Sequence, residues 1–234
     1  MKIIRDFSLF ILLLIIVGTS VFANPLDKVI YGADDRVFVE DHKSEKVKEM
    51  GKAVAAMLPI STIDFSFGGA LAELQAQLLS DWGGVCPSDP FHASLVAGTC
   101  SGFLVAPDVL VTAGHCIKSI EDCENNYWYF QLQDSYLYSR EKNYLDAGAL
   151  YQCGEIIDRG FHLSKKIDFA IVRLKRSVPN VAPLKFRMTG KVEEKEPLFI
   201  MGHPMGLPKI AAGNAFVMDS SEPGFFRASL DSFQ

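Results

Sequence analysis

Residues 100–116 read CSGFLVAPDVLVTAGHC, and this stretch decides how the rest of the chain is interpreted. Two apolar runs, Ser101–Val105 and Val109–Val111, flank the step Ala106-Pro107-Asp108, in which proline sets the φ angle that a tight turn needs. The pattern predicts two strands joined by a turn. His115 follows the second run, so we expect a histidine at the end of a buried strand.

The five residues Thr112-Ala113-Gly114-His115-Cys116, with Cys100 upstream, resemble the histidine motif of the trypsin/chymotrypsin-like serine peptidases. The resemblance is closer to the bacterial glutamyl-endopeptidase branch, which hints at acidic substrates. It implies that His115 is the general base of a catalytic triad. A histidine with a purely structural role is the alternative.

Asp168 opens the apolar run Phe169–Leu174, which is a strand candidate. We expect a carboxylate at this position to be largely desolvated and to need a partner, since an unpaired buried charge is costly. The run from Asp168 also resembles the aspartate motif of the same family, which implies that Asp168 orients His115. The alternative is a carboxylate that caps a local turn or pairs with Lys165 or Lys166.

The nucleophile of such a triad is a serine between glycines, and the sequence shows none. Residues 198–208 resemble the strand and loop that open the second barrel of the family, and residues 225–234 resemble the strand that leads to the nucleophile. No candidate serine has the flanking glycines that permit a sharp turn and close backbone donors. The candidates are Ser101, Ser220, Ser221, Ser229 and Ser232. We therefore expect a fragment that ends just before the nucleophilic serine and is inactive as it stands.

Residues 1–23 have the pattern of a signal peptide. Lys2 and Arg5 make a positive start, Phe7–Val17 is almost wholly apolar, and Val21-Phe22-Ala23 fits a cleavage site. An uncleaved anchor is the alternative, but the run is short for a membrane span. We expect a secreted or periplasmic protein with no membrane association after cleavage.

Export makes the cysteines disulfide candidates before metal ligands. We expect Cys100 to pair with Cys116, which would stabilise the fold by about 3 kcal/mol in the chain-entropy model. Cys123 and Cys153 both flank strand candidates and form a second expected pair. Cys86 is left over.

Zinc held by His115, Cys116, Cys123 and Cys153 would make the protein a metal hydrolase, but the spacings match no standard finger or ribbon. We expect no metal and no cofactor. The other histidines have expected roles in loops, at the surface or in packing; they are His42, His92, His162 and His203.

The chain of 234 residues is 49% apolar and carries a net charge of −5 without a basic stripe, which argues against nucleic acid as a partner. The sequence favours an all-β fold because short apolar runs separated by Gly, Pro, Asp and Asn dominate from Cys86 onward. The further strand candidates are Tyr127–Leu132, Leu150–Ile157, Leu198–Met201, Ala215–Met218 and Phe225–Leu230. The resemblance implies a two-barrel trypsin-like fold with the second barrel truncated.

We expect four segments: the signal peptide; an N-terminal extension or pro-segment over residues 24–85; a first β-barrel with His115 and Asp168 over residues 86–176; and a partial second β-barrel over residues 177–234. Two short helices are expected in the extension, over Lys46–Met57 and Ala70–Leu79, because apolar residues recur there at helical spacing.

The function that the resemblance implies is a secreted serine endopeptidase, acting on a peptide or protein substrate as a monomer. A non-catalytic pseudo-peptidase that binds peptides in the cleft is the alternative.

Overall fold

The computed structural model of the protein describes residues 30–31, 33–66, 68–82, 85–134, 143–222 and 224–231. The expected signal peptide and Ser232 lie outside the described residues. No helix in the described part is long and apolar enough to cross a membrane.

Short strands dominate the described chain, in agreement with the expected all-β class. The strands are β1 Val37–Phe38, β2 Val54–Pro59, β3 Ile63–Asp64, β4 Leu71–Leu74, β5 Gln77–Leu78, β6 Leu95–Val96, β7 Cys100–Ala106, β8 Val109–Thr112, β9 Asn126–Tyr129, β10 Tyr144–Asp146, β11 Leu150–His162, β12 Ile167–Leu174, β13 Pro197–Gly202, β14 Ile210–Asp219 and β15 Arg227–Ala228. The α-helices are α1 Glu45–Gly51 and α2 Ile120–Glu124, and the 3-10 turns are Val39–Asp41, Ile60–Thr62, Leu79–Trp82, Ala147–Ala149, Leu163–Lys165 and Pro204–Gly206.

Six antiparallel strands form a closed barrel in the order β11, β12, β8, β7, β2, β9. Alternate residues of each strand point inward, so Leu104, Leu110, Trp128 and Val172 are all fully buried in one cluster. Closure leaves no unpaired strand edge, which is why this part of the chain makes a complete core.

The predicted hairpin is confirmed as β7 and β8, joined by a turn at Pro107 and Asp108. A glycine is required inside it, because a Cβ atom on Gly102 would lie 2.6 Å from a methyl of Leu110 and 2.7 Å from the Trp128 ring. The missing side chain lets the indole fill the barrel between the strands.

The expected boundary at residue 86 is wrong, because the barrel takes one strand from the N-terminal region. Strand β2 pairs with β7 on one side and β9 on the other, and without it the sheet would stay open. Strand β1, also in that region, pairs with β14 near the C-terminal end. Residues 37–59 therefore contribute strands to both the barrel and the second sheet and do not form a separate extension.

Of the two predicted helices in this region, the first is wrong in part and the second is wrong throughout. The helix over Lys46–Met57 ends at Gly51, and Val54–Pro59 continues as strand β2. The segment Ala70–Leu79 contains strands β4 and β5, with Ala72 and Leu74 buried at alternate positions. Strand pairing buries these residues more completely than short isolated helices would, so tertiary contacts override the local spacing.

After β12 a strand-free segment containing Pro179 and Pro183 leads to a second sheet. Its order is β1, β14, β13, with β15 also paired to β14, and the described strands do not close into a barrel. The predicted strands at Leu198–Met201 and Ala215–Met218 are confirmed within β13 and β14, while that at Phe225–Leu230 is reduced to β15. This arrangement agrees with a first barrel followed by part of a second.

Candidate active site

His115 lies in a tight turn directly after strand β8. The backbone N–H of Cys116 donates to the carbonyl of Ala113 at 3.2 Å, and Cys116 is joined by a disulfide bond to Cys100 in β7. The turn is therefore tied to the barrel wall, while the His115 side chain remains 55% exposed. The side chain is open to a reacting molecule although its backbone is restrained.

Asp168, the second residue of β12, receives two hydrogen bonds from His115. The backbone N–H of His115 lies 2.9 Å from Oδ1, and the ring Nδ1 lies 2.7 Å from Oδ2. An ionised carboxylate can only accept, so Nδ1 carries the proton and Nε2 keeps its lone pair. The structure thus brings the two predicted residues together in the tautomer that leaves Nε2 free to accept a proton.

The Asp168 carboxylate is held ionised by these contacts. Partial burial raises its pKa, but the hydrogen bonds from the ring and backbone of His115, with one from Gly114, outweigh it and hold the pKa below its usual value. The expectation of a largely desolvated carboxylate is wrong, since the side chain is 39% exposed. Ala170 and Val172 on the same face of β12 are buried inside the barrel, whereas Asp168 lies beyond its rim.

At Gly114 the backbone of the His115 turn packs directly against the β11–β12 hairpin. A Cβ atom here would lie 2.3 Å from the carbonyl oxygen of Gly160 and 2.8 Å from that of Phe169, so no other residue fits without moving backbone. Sequence reasoning quoted Gly114 only as part of the motif. The structure shows that its missing side chain lets the His115 turn approach Asp168.

The structure contains two disulfide bonds, Cys100–Cys116 and Cys123–Cys153, while Cys86 is free and exposed. The second bond joins α2 to β11. In the part of the chain that the structure describes, the only group with metal-ligand spacing is Cys100, His115 and Cys116. Both of its cysteines are in the first disulfide and offer no thiolate, so these donors do not fit zinc.

Three of the four described candidate serines are engaged elsewhere. Ser101 Oγ accepts from the backbone N–H of His203 at 2.8 Å, Ser229 Oγ accepts from that of Phe216 at 3.1 Å, and Ser221 Oγ donates to Asp219 at 2.7 Å. Among the described residues, no serine hydroxyl is hydrogen-bonded to His115. The structure therefore brings together the base and the carboxylate but no nucleophile.

Among the described residues, none of the remaining histidines is hydrogen-bonded to His115 or Asp168. His203 is buried, and its Nδ1 lies 3.0 Å from the carbonyl of Leu207. His42 Nδ1 accepts from the backbone N–H of Ser44 at 3.0 Å, which makes it a loop residue. His162 is exposed at the end of β11, and His92 is half-buried in a turn.

An apolar groove of about 640 Å³ lies beside Asp168, between the barrel and the second sheet. Phe103 and Phe169 line it from the barrel, Phe199 and Met201 line it from the sheet. The dyad thus stands at the end of a cleft between two β units.

A family model described as "Trypsin-like peptidase domain" matches residues 100–232, which span the β7–β8 hairpin, the His115 turn, Asp168 and strands β13–β15 of the second sheet. This match covers more than half of the chain. Together with the closed barrel, it shows that the chain belongs to the trypsin-like peptidase family. Among curated proteins no relative matches.

Two solved structures are similar to the chain at low identity. One is a Glu endopeptidase in complex with MPD, with 16% identity over 82% of this chain and 73% of that chain and a TM-score of 0.45. The other is the inactive form of a serine-to-alanine mutant of Rv3671c from M. tuberculosis H37Rv, with 14% identity over 87% of this chain and 71% of that chain and a TM-score of 0.41. The family assignment rests on the match over residues 100–232 and not on these two structures.

Proposed function

We propose that the protein is an exported serine endopeptidase in which His115 is the general base and Asp168 its orienting carboxylate. The observation that carries the proposal is the two-point contact between these residues, with the Nδ1 and backbone N–H of His115 at 2.7 and 2.9 Å from the two carboxylate oxygens. The family supports peptidase activity in general. The substrate is a peptide or protein, and the protein acts as a monomer.

In this proposal Nε2 of His115 takes the proton from a serine hydroxyl as that oxygen attacks the scissile carbonyl. The same nitrogen then gives the proton to the leaving amine, and a water molecule repeats the cycle on the acyl-enzyme. Asp168 keeps the proton on Nδ1 and stabilises the imidazolium that forms in each step. Because the pKa of Asp168 is lowered, its carboxylate remains negatively charged while His115 accepts and returns the proton.

We assign the nucleophile to residues that follow Gln234 in a longer form of the protein. Residues 225–234 resemble the strand that leads to the nucleophile in this family, and three of the four described candidate serines, Ser101, Ser221 and Ser229, bind backbone or carboxylate groups instead of His115. The DNA after the codon for Gln234 tests this assignment, which requires a glycine–serine–glycine coding stretch there in some frame.

Export is supported by two features. Four of the five cysteines are joined in disulfides, which form and persist in oxidising compartments. Residues 1–23 have the charge and apolar pattern of a cleaved signal peptide.

The test uses the extended protein, meaning this chain continued through the residues that its gene encodes after Gln234. A serine-reactive fluorophosphonate should label it, and His115→Ala should abolish labelling because the hydroxyl then lacks its base. His92→Ala, a histidine in a turn away from the dyad, is the matched control and should label like the wild type. Equal labelling of the His115→Ala variant would contradict the proposal.

The second candidate function is a pseudo-peptidase that binds peptides without cleaving them. Strand β13 favours it, because among the described strands it pairs with β14 only, and its residues Phe199 and Met201 line the apolar groove. An extended peptide could add to such an edge by backbone hydrogen bonds. Calorimetric titration of the 234-residue chain with peptides, followed by mass analysis, distinguishes binding without cleavage from no binding.

A further inference from the structure

The peptide group between Gly114 and His115 is held at both ends. Its N–H donates to Oδ1 of Asp168 at 2.9 Å, and its carbonyl oxygen accepts from Nε of Arg159 at 3.1 Å. The N–H and C=O of a trans peptide point in opposite directions in one plane. Asp168 and Arg159 therefore bind the same peptide plane from opposite sides. Together these two hydrogen bonds restrict rotation of the Gly114–His115 peptide.

Arg159 also spans the whole turn that carries His115. The same Nε–H is shared with the carbonyl oxygen of Ile117, at 2.6 Å. Ile117 is fully buried in the barrel core, so this second acceptor is anchored. The Nε–H of Arg159 thus links Gly114, directly before His115, to Ile117, two residues after His115.

The strand register explains why one arginine reaches both carbonyls. Arg159 lies on β11 opposite Ala170 of β12, two residues along from Asp168, so the arginine and the aspartate come from the same hairpin. The Arg159 guanidinium also lies 5.8 Å from the centre of the Phe161 ring, whose centre is 6.5 Å from that of His115. Nothing in the local sequence marks Arg159, and sequence analysis gave it no role.

We propose that Arg159 is a positioning residue for His115. Its Nε–H fixes the Gly114–His115 peptide so that the His115 ring and backbone meet the two oxygens of Asp168. The inference rests on the proposed function, because the orientation of His115 matters for turnover only if this residue is the general base. The hydrogen bond itself does not depend on that function.

The test distinguishes the effect of the Nε–H donor of Arg159 from the effect of its positive charge. In Arg159→Met the Cε atom takes the place of Nε and cannot donate. In Arg159→Gln an amide N–H stands the same number of bonds from the backbone, without the charge. Arg173→Met is the matched control, since Arg173 lies on β12 and binds the carboxylates of Asp108 and Glu155.

The readout is hydrogen exchange of the His115 backbone amide in the 234-residue chain, measured by NMR. Arg159→Met should raise its exchange rate roughly 10- to 100-fold, the factor expected for losing a hydrogen bond from a charged donor. Arg159→Gln and Arg173→Met should stay within a few-fold of the wild type. The amides of Leu110 and Val172 in the barrel should not change in any variant, which a general loss of stability would not allow.

An unchanged His115 amide in Arg159→Met, or equal acceleration in Arg159→Gln, would overturn the inference. Should the Met variant fail to fold, scalar couplings across the hydrogen bonds from Arg159 Nε to the carbonyl carbons of Gly114 and Ile117 decide the question in the wild type. Their absence overturns it.

In the extended protein, Arg159→Met should lower kcat about 10-fold or more with little change in KM, and Arg159→Gln should restore it. An inactive extended wild type would contradict the proposed function, while the exchange data would still decide the role of Arg159.

Discussion

The barrel and the second sheet are both built from antiparallel strands, yet they bury their aromatic side chains very differently. Each barrel strand pairs on both sides, whereas β13 of the sheet pairs on one side only in the part of the chain that the structure describes. Trp128 inside the barrel is 0% exposed, but Phe199 and Phe216 in the sheet are each 45% exposed. Closure therefore lets the barrel order its own core and both residues of the dyad, while the sheet depends on the barrel for support.

The contacts that supply this support are polar and largely buried. Lys209 Nζ, at the start of the sheet, donates to the carbonyl oxygens of Gly51 at 2.6 Å and Phe130 at 2.9 Å. Burial lowers the pKa of Lys209 to about 7 and that of His203 to about 3. The junction between the two units should therefore respond to pH, and the barrel core should not.

The largest expected difference between the units comes from deleting one aromatic side chain in each. Trp128→Ala should lower the free energy of unfolding by about 3–5 kcal/mol, because it leaves a cavity in a closed core. Phe199→Ala should cost less than about 1 kcal/mol, since its ring is already half in water. Urea unfolding of both variants measures the difference, and equal costs would show that the sheet has a core of its own.

The disulfide beside His115 gives the next largest effect. Replacing Cys100 and Cys116 together by serine should cost about 3 kcal/mol of stability in the chain-entropy model. The turn should also lose its tie to β7, so exchange at the His115 amide should accelerate more than exchange in the second sheet. Calorimetry and amide exchange measure the two effects, and a uniform loss of protection would contradict a local tie.

Acid should weaken the protein through His203. Its pKa rises from about 3 when folded to 6.5 when unfolded, so between these values the unfolded chain binds one more proton and stability falls as pH falls. From pH 6.5 to 4.5 this amounts to about 2 kcal/mol. His203→Gln should remove that part of the pH dependence in denaturant titrations, and an unchanged slope would assign it to other groups.

Ser101 gives the smallest and most local effect. Ser101→Ala removes the hydroxyl that accepts from the His203 N–H, at a cost of about 1 kcal/mol. Amide protection should fall in β13 and stay constant in β11 and β12. Turnover by the extended protein should change only a few-fold, and a complete loss would make Ser101 the nucleophile and contradict the proposed assignment.

Sequence reasoning reached the barrel hairpin and the dyad because their signals are local. Pro107 marks a turn, and the motifs at His115 and Asp168 are continuous stretches. It missed strand β2, because Val54–Pro59 is recognisable as a strand only when β7 and β9 are placed on either side of it.

The exposure of Asp168 and the role of Arg159 could not be predicted from the local sequence either. Both depend on register: Asp168 lies past the barrel rim, and Arg159 comes opposite Ala170, within reach of the His115 turn. Pairing between distant strands sets these positions, and no short window of sequence contains it.

The central claim is that Asp168 holds His115 in the tautomer that accepts a proton at Nε2. The most direct test is peptide turnover by the extended protein with Asp168 or with Asp168→Asn. The asparagine keeps the shape but can offer an N–H to the ring, which favours the wrong tautomer, so turnover should fall by about 10⁴-fold. Turnover equal to that of the wild type would contradict the claim.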